Sequence, residues 1–117
     1  MDEKVIQQAR ALSRKIVEKE FPEEEEYFDF LFDLTIQEIE ELEPGKEAEF
    51  LKEMRAVHPE LVLGFTPIVI ILAVQILTEP PQERVTENKI KQRIARILKD
   101  ENETRKLSKI SKYLIDI

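Results

Sequence analysis

Residues 61–77 read Leu61-Val62-Leu63-Gly64-Phe65-Thr66-Pro67-Ile68-Val69-Ile70-Ile71-Leu72-Ala73-Val74-Gln75-Ile76-Leu77, without a single charged side chain. As one helix the stretch would reach roughly 26 Å at about 1.5 Å per residue, close to the thickness of a bilayer core. Gly64, Thr66, Pro67 and Gln75 interrupt it, and neither immediate flank offers a lysine or arginine anchor. A buried helix in a protein core explains the same residues, so no membrane span is expected. Thr66-Pro67 has the form of an N-cap followed by a first helical residue. The spacing thus predicts a short turn of helix at 59–63, closed by Gly64, and a buried helix over 67–78. The β-branched run Val69-Ile70-Ile71 would suit a strand, but no other segment has the period-two alternation to pair with it.

Helical periodicity continues outward on both sides. Over 3–20, Val5, Ala9, Leu12 and Ile16 recur at spacings of four, three and four, an apolar stripe on an otherwise polar helix that Phe21-Pro22 punctuates. A second helix is expected over 23–43, with Glu23, Glu24, Glu25 and Glu26 in its first turn, where unpaired amides favour negative charge. Its apolar residues, from Tyr27 to Leu42, cover more than one face. Pro44-Gly45 ends it, a shorter helix follows over 46–57, and His58-Pro59 closes that one. Beyond the linker Pro80-Pro81-Gln82-Glu83, a basic amphipathic helix is expected over 86–100, with Ile90, Ile94, Ile97 and Leu98 on one face. The last helix, over 103–114, would turn Leu107, Ile110 and Leu114 inward. The resulting expectation is an all-α fold, a compact bundle of five or six helices with one very apolar central helix.

A chain of 117 residues fits one domain, 1–117, able to bury roughly two thirds of the surface of its unfolded chain. Its apolar end, Leu114-Ile115-Asp116-Ile117, either docks on the core or marks the chain as the first domain of a longer protein. Met1-Asp2-Glu3-Lys4 lacks the basic start and apolar run of a secretory signal, so a cytoplasmic location is expected.

Composition removes much chemistry. There is no cysteine for a disulfide, thiolate metal site or nucleophile, and a single histidine cannot build a two-histidine site within one chain. With two glycines, Gly45 and Gly64, neither the dinucleotide fingerprint nor the phosphate-binding loop can be written. Carboxylates at helical spacing do occur, in Glu26 and Asp29, Asp29 and Asp33, and Glu38 and Glu41. Such pairs build metal sites on facing helices. Spacing alone is cheap among 25 acids, and solvated helix faces account for these. His58 precedes a proline at a helix junction and has no nucleophile beside it, while Ser13, Thr35, Ser108 and Ser111 all fall within helices. No catalytic residue, cofactor or metal is therefore assigned.

Charge is more informative. The net charge is −7, but residues 1–60 carry 18 acids and 8 bases, a net of −10, and residues 61–117 carry 7 acids and 10 bases, a net of +3. Candidate interaction surfaces follow: an acidic one at Glu23, Glu24, Glu25, Glu26, Glu38 and Glu41, and a basic one at Arg93, Arg96, Lys99, Arg105, Lys109 and Lys112. The expected function is a non-catalytic protein–protein interaction module, adaptor-like or regulatory, whose opposed surfaces bind a protein partner or a second copy. The alternative is nucleic-acid binding through the basic helices over 84–112. Overall acidity, the missing glycine turn of a helix-turn-helix and the lack of aromatics interleaved with the bases count against it. A third reading, a carboxylate-metal nucleotide hydrolase, has no convincing partner motif on the first helix.

Overall fold

In the computed structural model, which describes residues 1–43, 45–57, 64–79, 86–98 and 100–115, the chain begins with Asp2 accepting the Lys4 amide at 3.0 Å. That cap starts α1, Glu3–Glu20, which buries Ala9, Ser13, Ile16 and Val17 along one stripe. Phe21 closes α1 by donating its amide to the Val17 carbonyl at 2.8 Å, and its buried ring lies 5.1 Å from that of Phe65.

The expected second helix is divided. Pro22–Tyr27 winds as a 3-10 helix, and only Phe28–Ile39 is α-helical, here α2. None of Pro22–Tyr27 is buried, so the segment has no apolar face whose burial would favour α geometry for a run of like charges. At its other end α2 tightens: the Glu41 and Leu42 amides donate to the Glu38 and Ile39 carbonyls, a three-residue reach that ends the helix before 43. Gly45 then turns the chain with φ +87°, a conformation that costs glycine little.

α3, Glu47–Val57, buries Phe50, Leu51 and Met54. α4, Thr66–Thr78, buries ten of its residues, including Ile68 to Val74 without interruption, and packs most extensively on α1 and then α2. α5, Glu87–Ile97, buries Ile90, Ile94 and Ile97. It stops earlier than 100 because Leu98 turns extended and buries its own side chain, and because Asp100 accepts the Asn102 and Glu103 amides at 2.8 and 3.1 Å to start the next helix. The expected last helix is likewise two, α6, Glu101–Ser108, and α7, Ser111–Leu114, separated by a turn at Lys109 and Ile110.

Seven α-helices and no strand therefore make up the described residues, an all-α fold. The Cα radius of gyration of 13.1 Å matches the roughly 13 Å of a compact chain of this length. A main core joins all seven α-helices, with α3 contributing Leu51. A smaller cluster of Leu31, Phe50, Met54 and Ile71 holds α3 against α2 and α4, so these three helices serve both clusters. No helix among the described residues is long and apolar enough to cross a membrane. The helical turn expected at 59–63, His58, the Pro80-Pro81 linker and Lys99 lie outside the described residues.

Candidate functional site

Acidic side chains divide into those used inside the fold and those left at the surface. Glu24 is used. Its Oε1 accepts the Thr66 amide at 2.9 Å and the Thr66 hydroxyl at 2.8 Å, so a carboxylate from the 3-10 helix caps α4 across 42 residues of sequence. Thr66 is accordingly a donor to Glu24 and not the side-chain N-cap its sequence suggested; Phe65 holds the cap position. The negative charge also faces the positive end of the α4 dipole. Gly64 completes the arrangement, since a Cβ there would collide with the Glu24 carboxyl group.

Asp29 and Asp33 are also occupied. Arg10 donates to Asp29 at 3.0 Å and to Asp33 at 2.6 Å, and Arg14 pairs with Asp29. The same guanidinium groups lie over aromatic rings, Arg10 4.4 Å from the Phe32 centroid and Arg14 4.8 Å from that of Phe28. Two arginines four residues apart on α1 thus meet two aspartates and two phenylalanines, each pair four apart on α2. Of the carboxylates at helical spacing, arginine counter-ions occupy Asp29 and Asp33, and no group of three or more His, Asp or Glu that could hold a metal ion occurs among the described residues. Glu23, Glu25, Glu26, Glu38 and Glu41 remain exposed, with no ion-pair partner among the described residues.

The basic side divides in the same way. Arg93 pairs with Glu79, and both are largely buried. Burial holds the Arg93 guanidinium below its ordinary pKa, with repulsion from Arg96 acting in the same sense and Glu47 opposing it. Lys91 pairs with Glu87 at 3.1 Å and Lys112 with Glu20 at 3.4 Å. Lys89, Arg96, Arg105, Lys106 and Lys109 are exposed, again without an ion-pair partner among the described residues. Spacings of three and four place Lys89, Gln92 and Arg96 on one stripe of α5. Arg105 lines, with Ala95, Leu98, Glu101 and Thr104, an open cleft of about 410 Å³ between α5 and α6.

The helical serine hydroxyls are taken up by backbone carbonyls. Ser13, Ser108 and Ser111 donate to the carbonyls of Ala9, Thr104 and Ser108, while the Thr35 hydroxyl is buried without a partner among the described residues. No protein-family model, curated protein or solved structure matches this chain.

Three features escaped the sequence reading: the Glu24 cap, the arginine pairing across α1 and α2, and a cleft between α2 and α3. The cleft, about 170 Å³, is lined by Leu34, Glu38, Phe50, Glu53, Met54 and Val57. The signal for the arginine pairing was present, since Arg10 and Arg14 share a four-residue spacing with Asp29 and Asp33. Nothing in the sequence singles out Glu24 among its neighbours.

Proposed function

We propose that this chain is a non-catalytic protein-interaction module, adaptor-like or regulatory, built around the very apolar α4 and presenting an acidic and a basic surface to a partner or to further copies of itself. The observation that supports this reading is the presence of two groups of charged side chains, one of each sign, without ion-pair partners among the described residues. Glu23, Glu25, Glu26, Glu38 and Glu41 belong to the 3-10 helix and to α2 and its C-terminal turn; Lys89, Arg96, Arg105, Lys106 and Lys109 belong to α5, α6 and the turn that follows. Like charges left unpaired repel one another in the free molecule, and a complementary surface removes that repulsion while steering the encounter.

Nucleic-acid binding is the second reading, favoured by the same five bases. It has an opponent within α6, whose first turn carries Glu101 and Glu103. In a helix-turn-helix the N-terminal residues of the second helix meet base edges, and carboxylates there would face phosphate-rich DNA. Sedimentation between about 0.01 M and about 1 M salt, over which the screening length falls from roughly 30 Å to roughly 3 Å, tests the preferred reading. Association at low salt, lost at high salt and lost in the Arg96→Glu/Arg105→Glu variant, is expected. A salt-independent monomer that retards duplex or single-stranded oligonucleotides would transfer the basic surface to nucleic acid.

A further inference from the structure

We infer that the cleft between α2 and α3 is a docking site for a cationic amphipathic helix of a partner protein, an inference that rests on the interaction reading and gives one of its surfaces a ligand. Leu34 and Glu38, four apart, come from α2; Phe50, Glu53, Met54 and Val57 recur at helical spacing on one face of α3. The floor is apolar. Phe50 and Met54 are almost wholly buried, whereas Val57 at the edge is 70% exposed, the most exposed large hydrophobic side chain among the described residues. Methionine suits a surface that adapts to a guest side chain, being unbranched and polarisable.

Size selects the class of guest. At about 170 Å³ the cleft is smaller than the roughly 300–1,000 Å³ of sites that enclose a small molecule, and it suits one apolar side chain presented by a larger partner. Charge selects the rest of that partner. Glu38 stands on the α2 wall and Glu53 on the α3 wall, both exposed, and no lysine or arginine lines the cleft among the described residues. An apolar anchor flanked by lysines or arginines satisfies both features, as a helix does when its anchors recur every three or four residues. An acidic peptide or a nucleic acid would meet two carboxylates. A second copy would bring its own basic helix α5, but Ile90, Ile94 and Ile97 are already buried in that copy's core, leaving no anchor beside its bases.

The probe is a fluorescein-labelled amphipathic helical peptide of leucine and lysine, titrated into the full chain by anisotropy. Its counterpart has the same lysines with serine in place of leucine. Saturable binding of the leucine peptide is expected, weakened about tenfold or more by Val57→Glu, by Glu38→Lys/Glu53→Lys, or by the change to serine. All three substituted positions are exposed, and circular dichroism melting of each variant checks that the fold persists. Equal affinity for the two peptides, unchanged binding by the folded variants, or no saturable binding overturns the proposal. The Arg96→Glu/Arg105→Glu variant should bind the peptide like the parent chain; loss of binding there also counts against the cleft. Failure of the salt-dependent association with peptide binding intact would fall on the charged-surface reading alone.

Discussion

The Oγ1 of Thr35 lies fully buried on α2, and it has no hydrogen-bond partner among the described residues. Other helical hydroxyls in this protein resolve the same difficulty locally: Ser13, Thr78 and Ser108 each donate to the carbonyl four residues earlier. Thr35 does not. A buried hydroxyl without a partner costs about 1–3 kcal/mol, whereas an apolar group of the same shape avoids that desolvation. Thr35→Val keeps the β-branch and replaces the hydroxyl with a methyl group. It should stabilise the protein by about 1 kcal/mol, raising Tm by roughly 4 °C. A fall in both Tm and the urea midpoint would show that the hydroxyl is satisfied. The Arg55 Nε has the same defect at a partly exposed residue, where the neighbouring guanidinium nitrogen reaches Glu103 at 3.4 Å.

At the scale of elements, the start of α4 depends on a different helix. The Glu24 carboxylate takes both the amide and the hydroxyl of Thr66, and Gly64 leaves it the room. Glu24→Ala should destabilise the protein by about 1–2 kcal/mol, the scale of a charge-assisted hydrogen bond at a helix N-terminus. Gly64→Ala should be similarly harmful alone, because its methyl group displaces that carboxylate. In the Glu24→Ala background the added methyl group has nothing to displace. Urea unfolding of the single and double variants measures this coupling, and strict additivity would reject the cap. Such an element was not legible in advance: Glu23 to Glu26 are four equal residues in sequence, and the partner of one of them lies 42 positions away. Periodic elements were legible. The α5 isoleucines and the α1 stripe read directly from spacing, because burial of one face imposes the repeat. Breaks within helices were not, since the extended Leu98 and the 3-10 winding before Phe28 answer to tertiary packing and capping. For the candidate surfaces, the split of charge by sign was visible in the sequence. Which charges remain unpaired was not, because Glu24, Asp29, Asp33 and Arg93 find distant partners only once the helices pack.

On the scale of the whole molecule, the far ends of the fold are joined. Tyr113 of α7 donates its hydroxyl to Glu20 at the end of α1, 2.8 Å away and 93 residues earlier, and Lys112 approaches the same carboxylate at 3.4 Å. α7 has only four residues, too few to be stable by its own hydrogen bonds, so its position depends on burying Ser111 and Leu114 and on this clasp. The Tyr113 hydrogen bond is the main cause that holds the Glu20 carboxyl below its ordinary pKa of 4.5, helped by Lys112 and Lys109 and opposed by partial burial. Reciprocally, the hydrogen bond to Glu20 is the main cause that raises the Tyr113 phenol above 10.0. A carboxylate with a lowered folded pKa contributes stability that is fully present above 4.5 and is lost as pH falls through the folded value. The phenol, raised in the folded state, contributes below 10.0 and loses its contribution as pH climbs through its folded value. The clasp should therefore hold across the neutral range and open at both extremes. Tyr113→Phe keeps the ring and removes the hydrogen bond, so near pH 7 it should lower Tm by no more than a few degrees, the scale of one partly exposed contact in a domain of this size. The gap between parent and variant should close as pH falls below about 4, where Glu20 gains a proton, and again in strong alkali, where Tyr113 loses the one it donates. Thermal melts at acid, neutral and alkaline pH measure that gap, and a difference that stays constant across all three would mean that the clasp contributes nothing to the closure of the fold.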